Sequence, residues 1–467
     1  MNPRLYSGDK KPTMINKLSF CLLLSLKTVF VLGQKPAPYL RLTLPEALKI
    51  ASELQPDLKN ADRNIAYAEA ATKGARAGYL PKLIVETDLH YNPIIPTSVL
   101  PGNALNPAGN PEDIIPIRFG TPWANTVGLR LTQPLYDPVK LATIKGNKMA
   151  EELALAQQRR LMSDRFEEIT KAWYALLLAK STVLYKQKDV LRNKENATLI
   201  SEQVEQGKSL NNDLRDASLR IRSAELEKEK SEQDIFSARV YLSYMIGYDS
   251  LVLIDPVESL ESLTAKEEII MADPMEKLSE AEDARPEIEE EKINLQISEL
   301  DLSRKKADRL PVLNFEGFLG ANHFSYNFNP FTSWFGNSFL GLSLRWPIYS
   351  GDEKKQAVEQ SRIMVEQQRN ILRKSKQQVY YDLVNTQNNT LYQQRLILIQ
   401  VEKIQVQDER IKIIRNRLQE GRSTAPELLD AETDLAKEQD ALFQIQYDLL
   451  VSKLAKEKAG GLLVRYK

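Results

Sequence analysis

The chain has 467 residues, and its 63 basic and 63 acidic side chains give a formal net charge of zero at pH 7. This balance does not favour nucleic acid as a partner of the whole protein. Two histidines and one cysteine are too few for a histidine–cysteine zinc site or for thiol catalysis. With no phosphate-binding or dinucleotide-binding glycine loop either, the sequence predicts a protein that is not an enzyme and uses no cofactor or metal.

Residues 1–33 have the features of an export signal. From Met14, a short basic start at Lys17 leads into an apolar stretch that ends near the small residue Gly33. We predict a signal peptide here, and the alternative is a short N-terminal membrane anchor. Beyond this segment no apolar run approaches the roughly 18 residues that a spanning helix needs, so membrane contact would have to come from strands.

An internal repeat organises the chain. Residues 54–83 and 284–313 each contain a helical segment between two prolines, with the same spacing in both copies. Further on, residues 205–217 match residues 419–431, so the landmarks recur in the same order. The predicted domains are a first repeat, an equatorial linker and a second repeat, at residues 34–247, 248–283 and 284–467.

Four segments alternate between apolar and polar residues, which is the pattern of strands. In the first of them, Leu83, Val85 and Leu89 face one way, while Glu86 and Asp88 face the other. Each segment has the ~9–11 residues that a tilted outer-membrane strand requires. The alternative is a sheet of a water-soluble protein, which has the same period. The predicted strands cover about residues 82–92, 124–134, 312–324 and 337–347.

Most of the remaining chain is predicted to be helical. No proline interrupts the stretches from about Pro138 to Gln206 and from Asp352 to Glu420. At 1.5 Å per residue, each stretch would be ~105 Å long, which is typical of coiled coils rather than of globular cores. By contrast, the proline-rich stretch from Pro93 to Pro122 predicts a long external loop without regular structure.

The predicted fold class is therefore mainly α with a small transmembrane β part. Each half consists of a helix, two strands, a long coiled-coil helix, a tight turn and a returning helix. Four strands cannot close a barrel, and an open sheet edge is not tolerated in lipid. The chain should then assemble with copies of itself, and the strand count alone permits a dimer, a trimer or a tetramer. The long helices would continue the barrel wall as a helical tube, an α-barrel.

This plan resembles the TolC family of outer-membrane channels, the exit ducts of tripartite efflux pumps and of type I secretion systems. The resemblance rests on the repeat, on the strand–proline–x–tyrosine junctions at Pro134 and Pro347, and on the turns beginning at Gly207 and Gly421. It implies a homotrimer in the cell outer membrane, with a β-barrel of three times four strands in lipid and a helical tube in the periplasm. It also implies two protein partners, a periplasmic adaptor (membrane fusion) protein and an inner-membrane pump.

The resemblance further implies a pore constriction at Glu427 and Asp430, which lie one helical turn apart. Their alternative role is that of an acidic pair near a helix start, where it complements the helix dipole. The tips that meet the adaptor would be formed by Gly207, Lys208, Ser209 and Leu210 in the first repeat and by Gly421, Arg422, Ser423 and Thr424 in the second.

A helix–helix latch is implied at Asp213, which matches a polar residue that ties neighbouring helices together in the family. Leu418 and Ser423 depart from the family's residues at the closed-state latch, because an aromatic and a basic residue are expected there. The predicted function is the exit duct of a tripartite efflux pump, a passive conduit for small molecules that an inner-membrane transporter energises. The alternatives are a duct for type I protein secretion and a soluble periplasmic coiled-coil scaffold.

Overall fold

The computed structural model describes residues 39–264, 278–329 and 331–463. The predicted signal peptide lies outside these residues, as does part of the predicted equatorial linker. Among the helices of the described residues, none combines the length and the hydropathy needed to cross a membrane.

Long helices and short strands alternate along the chain in an order that occurs twice. The described elements are β1 (Tyr39–Leu42), α1 (Leu44–Leu54), α2 (Pro56–Ala77), β2 (Lys82–Tyr91), β3 (Thr97–Pro101), β4 (Ile114–Arg118), β5 (Trp123–Tyr136), α3 (Pro138–Glu205), α4 (Asn211–Ile246), β6 (Leu253–Pro256), α5 (Leu260–Thr264), α6 (Leu278–Ala284), α7 (Pro286–Ala307), β7 (Val312–Ser325), β8 (Trp334–Arg345), α8 (Glu353–Gln419) and α9 (Ala425–Ala459), with a 3₁₀ turn at Gly102–Ala104.

The matching elements of the two halves have nearly equal lengths. Helices α2 and α7 both have 22 residues, α3 and α8 have 68 and 67, and α4 and α9 have 36 and 35. A proline opens both 22-residue helices, where its missing N–H would have no partner within the helix. In each half the long helix packs against the returning helix and against the 22-residue helix, as the coiled-coil prediction requires.

Four strands form one antiparallel sheet in the order β2-β5-β7-β8. These are the four strands that the sequence predicts, with small differences at their ends. Strand β5 continues through Pro134 to Tyr136 by means of an irregularity between these two residues, and proline is tolerated at such a bulge. Strand β8 begins at Trp334 and ends at Arg345, shortly before Pro347, whose missing N–H cannot extend the ladder.

The sheet has one apolar face and one polar face. On the apolar face, Leu83 lies opposite Leu131, and Leu129 lies opposite Leu319. The large side chains of this face are not covered by other parts of the chain, as Val85 at 74% exposure shows. A water-soluble sheet would bury such a face, so the structure favours the membrane interpretation of the alternation over the soluble one.

The polar face carries the charged residues of the sheet. The Arg130 guanidinium donates two hydrogen bonds to the Glu86 carboxylate, both of 2.7 Å, and it also lies over the ring of Phe318, 5.6 Å from the centroid. The Phe318 ring in turn covers Gly128 and Gly320, where an added Cβ would come within 2.6 and 2.7 Å of its atoms. Glycine is therefore needed at both positions so that this aromatic side chain can lie flat on the sheet.

The external segment between β2 and β5 is not irregular throughout, so the prediction of a loop without regular structure was wrong. Strands β3 and β4 form an antiparallel hairpin within it, with Val99 opposite Pro116. Ile114, Ile115 and Ile117 supply β-branched residues to the second strand. Proline does not exclude a strand here, because a two-stranded hairpin has free edges on which a missing N–H costs no ladder hydrogen bond.

A second small sheet lies beside the middle of the long helices. Strand β1 pairs in parallel with β6, and the main apolar core lies around Trp173 and Phe166 of α3, which are buried against α1 and α4. The Asp255 carboxylate accepts a hydrogen bond from Lys180 Nζ at 3.1 Å and lies 3.5 Å from Arg239 Nη2. Strand β6 lies within the predicted equatorial linker, and its partner β1 lies within the predicted first repeat. Neither is among the four strands predicted from the sequence.

Candidate functional site

Two tight turns, each joining a long helix to its returning helix, form the tips of the helical hairpins. In the first tip, Gly207 has a φ of +67° and its N–H donates to the Val204 carbonyl at 3.0 Å. The N–H of Lys208 donates to the Gln203 carbonyl at 2.8 Å, which completes a Schellman motif. Glycine is favoured here because other residues are strained at this φ.

The second tip repeats this geometry. Gly421 has a φ of +74°, its N–H donates to the Leu418 carbonyl at 3.0 Å, and the N–H of Arg422 donates to the Arg417 carbonyl at 2.7 Å. The residues that the sequence assigns to the two tips therefore lie in the two turns, and the Leu210 side chain in the first of them is exposed.

Asp213 caps the helix that follows the first tip. Its carboxylate accepts a hydrogen bond from Ser209 Oγ at 2.9 Å and another from the Leu210 N–H at 3.0 Å. These bonds satisfy groups at the start of α4 that have no partner within the helix. Within one chain, the structure thus shows Asp213 stabilising its own tip, and its role as a latch between helices remains a prediction.

Glu427 has the equivalent position in the second tip. Its carboxylate accepts a short hydrogen bond from Ser423 Oγ and a longer one, of 3.4 Å, from the Thr424 N–H. These two bonds, with the hydroxyl making the larger contribution, lower the pKa of Glu427 below its ordinary value. Glu427 therefore has the alternative role predicted from the sequence, that of an acidic residue near a helix start. Its carboxylate also lies on the exposed face of α9.

Asp430 lies one turn further along α9, and its side chain is 72% exposed. It is nevertheless paired, because Arg220 Nη2 of α4 donates to its Oδ1 at 3.2 Å. Arg220 also donates from Nη1 to the Leu429 carbonyl at 2.9 Å and to Thr433 Oγ1 at 2.7 Å. Sequence reasoning missed Arg220, since only its local pair with Asp216 can be read from the spacing.

Glu432 is a buried carboxylate that sequence reasoning also missed. Its side chain is 9% exposed, and it accepts a hydrogen bond from Arg415 Nη2 of α8 at 3.0 Å. Arg192 Nη1 of α3 lies 3.7 Å away on another side, while Arg415 also donates to the Asn196 side chain at 3.0 Å. The contacts among these side chains connect α3, the first long helix, to the second hairpin near the tips.

Leu418, which stands where the family has an aromatic residue, is a core residue in this structure. It is 2% exposed and packs with Ile411, Leu428, Ala431 and Leu435 between α8 and α9. Ser423, the other departure from the family, donates its hydroxyl hydrogen to Glu427. Across the part of the chain that the structure describes, no cluster of three or more histidine, cysteine or acidic side chains is arranged to hold a metal ion.

Residues 278–459 match the family model described as outer membrane efflux protein. This part of the chain is therefore similar to outer membrane efflux proteins. The match covers α7, the strands β7 and β8, and the hairpin of α8 and α9, which includes the second tip. The family resemblance predicted from the sequence is confirmed, and the predicted outer-membrane location agrees with this family.

Solved structures of CusC and of two outer membrane proteins share the fold of nearly the whole chain. The structure of CusC aligns with a TM-score of 0.72 and 16% identity over 90% of this chain and 92% of that one. For the open state of the MtrE outer membrane channel of Neisseria gonorrhoeae, the TM-score is 0.69 with 16% identity, over 90% and 88% of the two chains. VceC of Vibrio cholerae aligns with a TM-score of 0.68 and 15% identity, over 90% and 96%. Comparison with curated proteins finds no match.

Proposed function

We propose that this protein is the outer-membrane exit duct of a tripartite efflux pump and works as a homotrimer. The observation that carries the proposal is the four-stranded sheet, whose large apolar side chains on one face remain exposed while the charged residues occupy the other. This is the distribution of a membrane barrel, in which lipid covers the outer face and water fills the interior.

The free edges of the sheet support assembly with copies of the same chain. Strands β2 and β8 each have a neighbour on one side only, and unpaired backbone groups are not tolerated in lipid. Pairing of β8 with β2 of the next copy would close the barrel, and three copies would supply the strand number that the family resemblance implies. The ten to fourteen residues of the four strands are sufficient to cross the apolar layer.

The long helices continue this wall away from the membrane. Helices α3 and α8 are the next elements after the second strand of each pair, and their 68 and 67 residues correspond to about 100 Å. The polar residues of the sheet and the exposed faces of the helices would then line one continuous path. No group of the described chain has to supply energy for transport, since a conduit of this kind is passive and the inner-membrane pump does the work.

The tips are the proposed contact with the periplasmic adaptor. They are exposed turns of fixed geometry, held by the same pattern of backbone hydrogen bonds in both repeats, and such turns are suited to a protein partner because binding them costs little conformational entropy. Ser209 and Leu210 in the first tip and Arg422 and Thr424 in the second are the side chains proposed to meet the adaptor.

Glu427 and Asp430 are the proposed pore constriction. Both carboxylates lie on the exposed face of α9 in its first turns, so three copies around an axis would form two acidic rings. Such rings attract cations and repel one another as the aperture narrows. The direct test measures single-channel currents of the purified protein in planar lipid bilayers under a KCl gradient. The variant with Glu427→Ala and Asp430→Ala should give a larger conductance and a lower preference for potassium over chloride.

A matched variant tests whether the change in current is specific to Glu427 and Asp430. Lys437 lies on the same exposed face of α9 but away from the tip, and Lys437→Ala should leave both the conductance and the selectivity unchanged. If the currents of the double variant equal those of the unmodified protein, Glu427 and Asp430 do not form the pore constriction. Absence of any current from the unmodified protein would contradict the proposal that the protein forms a channel.

A further inference from the structure

One arginine joins the two helical hairpins of the chain close to the tips. Arg220 of α4 makes three hydrogen bonds to the start of α9, to the Leu429 carbonyl, the Thr433 hydroxyl and the Asp430 carboxylate, at 2.9, 2.7 and 3.2 Å. Its Nε also donates to Asp216 on its own helix at 3.3 Å, which orients the side chain. The planar guanidinium has five N–H groups, and this geometry uses three of its nitrogen atoms at once.

These bonds connect parts of the chain that are far apart in sequence. Helix α4 belongs to the first hairpin and α9 to the second, so a movement of one hairpin away from the other must break all three bonds. One of the three acceptors, Asp430, is one of the two carboxylates proposed to form the constriction. The same side chain therefore holds the start of α9 and pairs with the carboxylate of Asp430.

The neighbouring buried carboxylate is bound in a different manner. Glu432 is largely inaccessible and lies between Arg415 and Arg192, and breaking a buried pair leaves an uncompensated charge. Asp430 and Arg220 are 72% and 29% exposed, so water can replace their contact at little cost when the pair opens. The structure thus contains one connection that is fixed and one that can be released, and their carboxylates are two residues apart in α9.

We propose that Arg220 is the positioning residue of the closed aperture. It holds α9 against α4, and it compensates the charge of Asp430 in each copy of the chain. Release of Arg220 frees the start of α9 to move away from α4 and exposes the Asp430 charge to the pore. Opening and stronger attraction of cations are then coupled events. This inference rests on the proposed function for its effect on current, whereas the connection between α4 and α9 does not.

Three variants separate the geometric role from the electrostatic one. Arg220→Gln removes both the charge and most of the hydrogen bonds, so the conductance in planar bilayers should rise severalfold and the potassium preference should increase. Arg220→Lys keeps the charge near Asp430 but lacks the planar guanidinium that makes several hydrogen bonds at once. The conductance should therefore rise while the selectivity stays near that of the unmodified protein. Arg222→Gln on the same helix is the control, because Arg222 is exposed and makes no ion pair with the described residues.

Rescue of selectivity tests the pairing itself. The double variant Arg220→Gln with Asp430→Asn should keep the high conductance of Arg220→Gln and lose its increased potassium preference. Equal conductance and selectivity in Arg220→Gln and Arg222→Gln would overturn the proposal. A potassium preference that stays high in the double variant would show that Asp430 is not the charge that Arg220 compensates.

Hydrogen exchange provides a readout that needs no current. In the detergent-solubilised protein, amide exchange over residues 425–433 should become faster in Arg220→Gln and stay unchanged in Arg222→Gln, because only the first variant frees the start of α9. Unchanged exchange in both variants would refute the connection. If exchange responds but the unmodified protein carries no current, the connection stands and the proposed channel function fails.

Discussion

The sheet and the helical tips, two regions of the same chain, keep their charged residues in opposite surroundings. In the sheet, charges are confined to one face, where Arg130 and Glu86 pair across adjacent strands, and the other face has large apolar side chains. In the tips, charges lie on surfaces and between helices, and they form connections such as those of Arg220 and Glu432. The exposed apolar face of the sheet is thus suited to contact with lipid, and the charged residues of the tips are suited to water.

This difference predicts which substitutions each region tolerates. A charge is costly on the apolar face of the sheet and ordinary at the tips, while loss of a charge is costly mainly where the lost group is itself buried. The largest effect is expected at Glu432. Glu432→Ala should lower the free energy of unfolding by about 3 kcal/mol, the lower end of the range for a broken buried pair. The carboxylate that is lost is buried, whereas Arg415 and Arg192 are 37% and 25% exposed and keep other partners.

Thermal unfolding followed by circular dichroism measures this loss. Asp434→Ala is the matched control, since Asp434 on the same helix pairs with Arg410 at 3.6 Å and both side chains are about half exposed. An exposed pair contributes about 0.2–1 kcal/mol. Equal losses in the two variants would mean that burial at Glu432 does not distinguish it from a surface residue.

The next effect concerns the apolar face of the sheet. Val85→Lys puts an ammonium group on the face proposed to contact lipid, and we expect it to destabilise the inserted protein by roughly 2–4 kcal/mol near the centre of the bilayer. Asp88→Lys places the same group on the polar face and should be tolerated. Urea titration of the protein folded into lipid vesicles compares the two. A smaller loss for Val85→Lys than for Asp88→Lys would reverse the assignment of the two faces.

The glycines of the tips should show a smaller effect. Gly207→Ala and Gly421→Ala force a side chain into a left-handed conformation, at φ +67° and +74°, and each should cost about 1–2 kcal/mol. Gly146 is the control, because it lies inside α3 with no atom within 4 Å of an added Cβ, and alanine there should stabilise the helix by about 0.5–1 kcal/mol. Thermal unfolding of the three variants gives the order, and stabilisation at Gly207 would contradict the turn geometry.

The smallest effect is a pH dependence at the second tip. Because hydrogen bonds from Ser423 and Thr424 lower the folded-state pKa of Glu427 below 4.5, the stability they contribute is fully present above that value and is lost as pH falls through the folded pKa. Amide exchange at the start of α9 should accelerate over this acidic range. Glu427→Gln should remove the acceleration, and its persistence in that variant would assign it to another group.

The sheet was predictable from the sequence because its pattern is local. Alternation places Leu83 and Val85 on one face and Glu86 on the other without any knowledge of the neighbouring strand, and the structure confirms that arrangement. The tips were predictable for a similar reason, since Gly207 and Gly421 mark left-handed turns after long helical stretches. The hairpin of β3 and β4 was missed because prolines in its sequence argue against a central strand, and this hairpin has no central strand.

The connections at the tips were not predictable, because they join residues that no local spacing relates. Arg220 and Asp430 are 210 positions apart in the sequence, and Glu432 contacts Arg192 of a different hairpin. The identity of Glu427 as a capping residue could be read from the Thr424–Glu427 spacing, which is that of a capping box. Contacts between distant helices depend on how the helices pack, and packing is decided by the whole fold.

The central claim is that the sheet lies in the outer membrane and closes by pairing with copies of itself. The most direct test is the mass of the protein after detergent extraction from isolated outer membranes, measured by light scattering with correction for the bound detergent. The account predicts a trimer in that fraction. A monomer or dimer recovered from the soluble periplasmic fraction would contradict it and would favour a periplasmic coiled-coil scaffold instead.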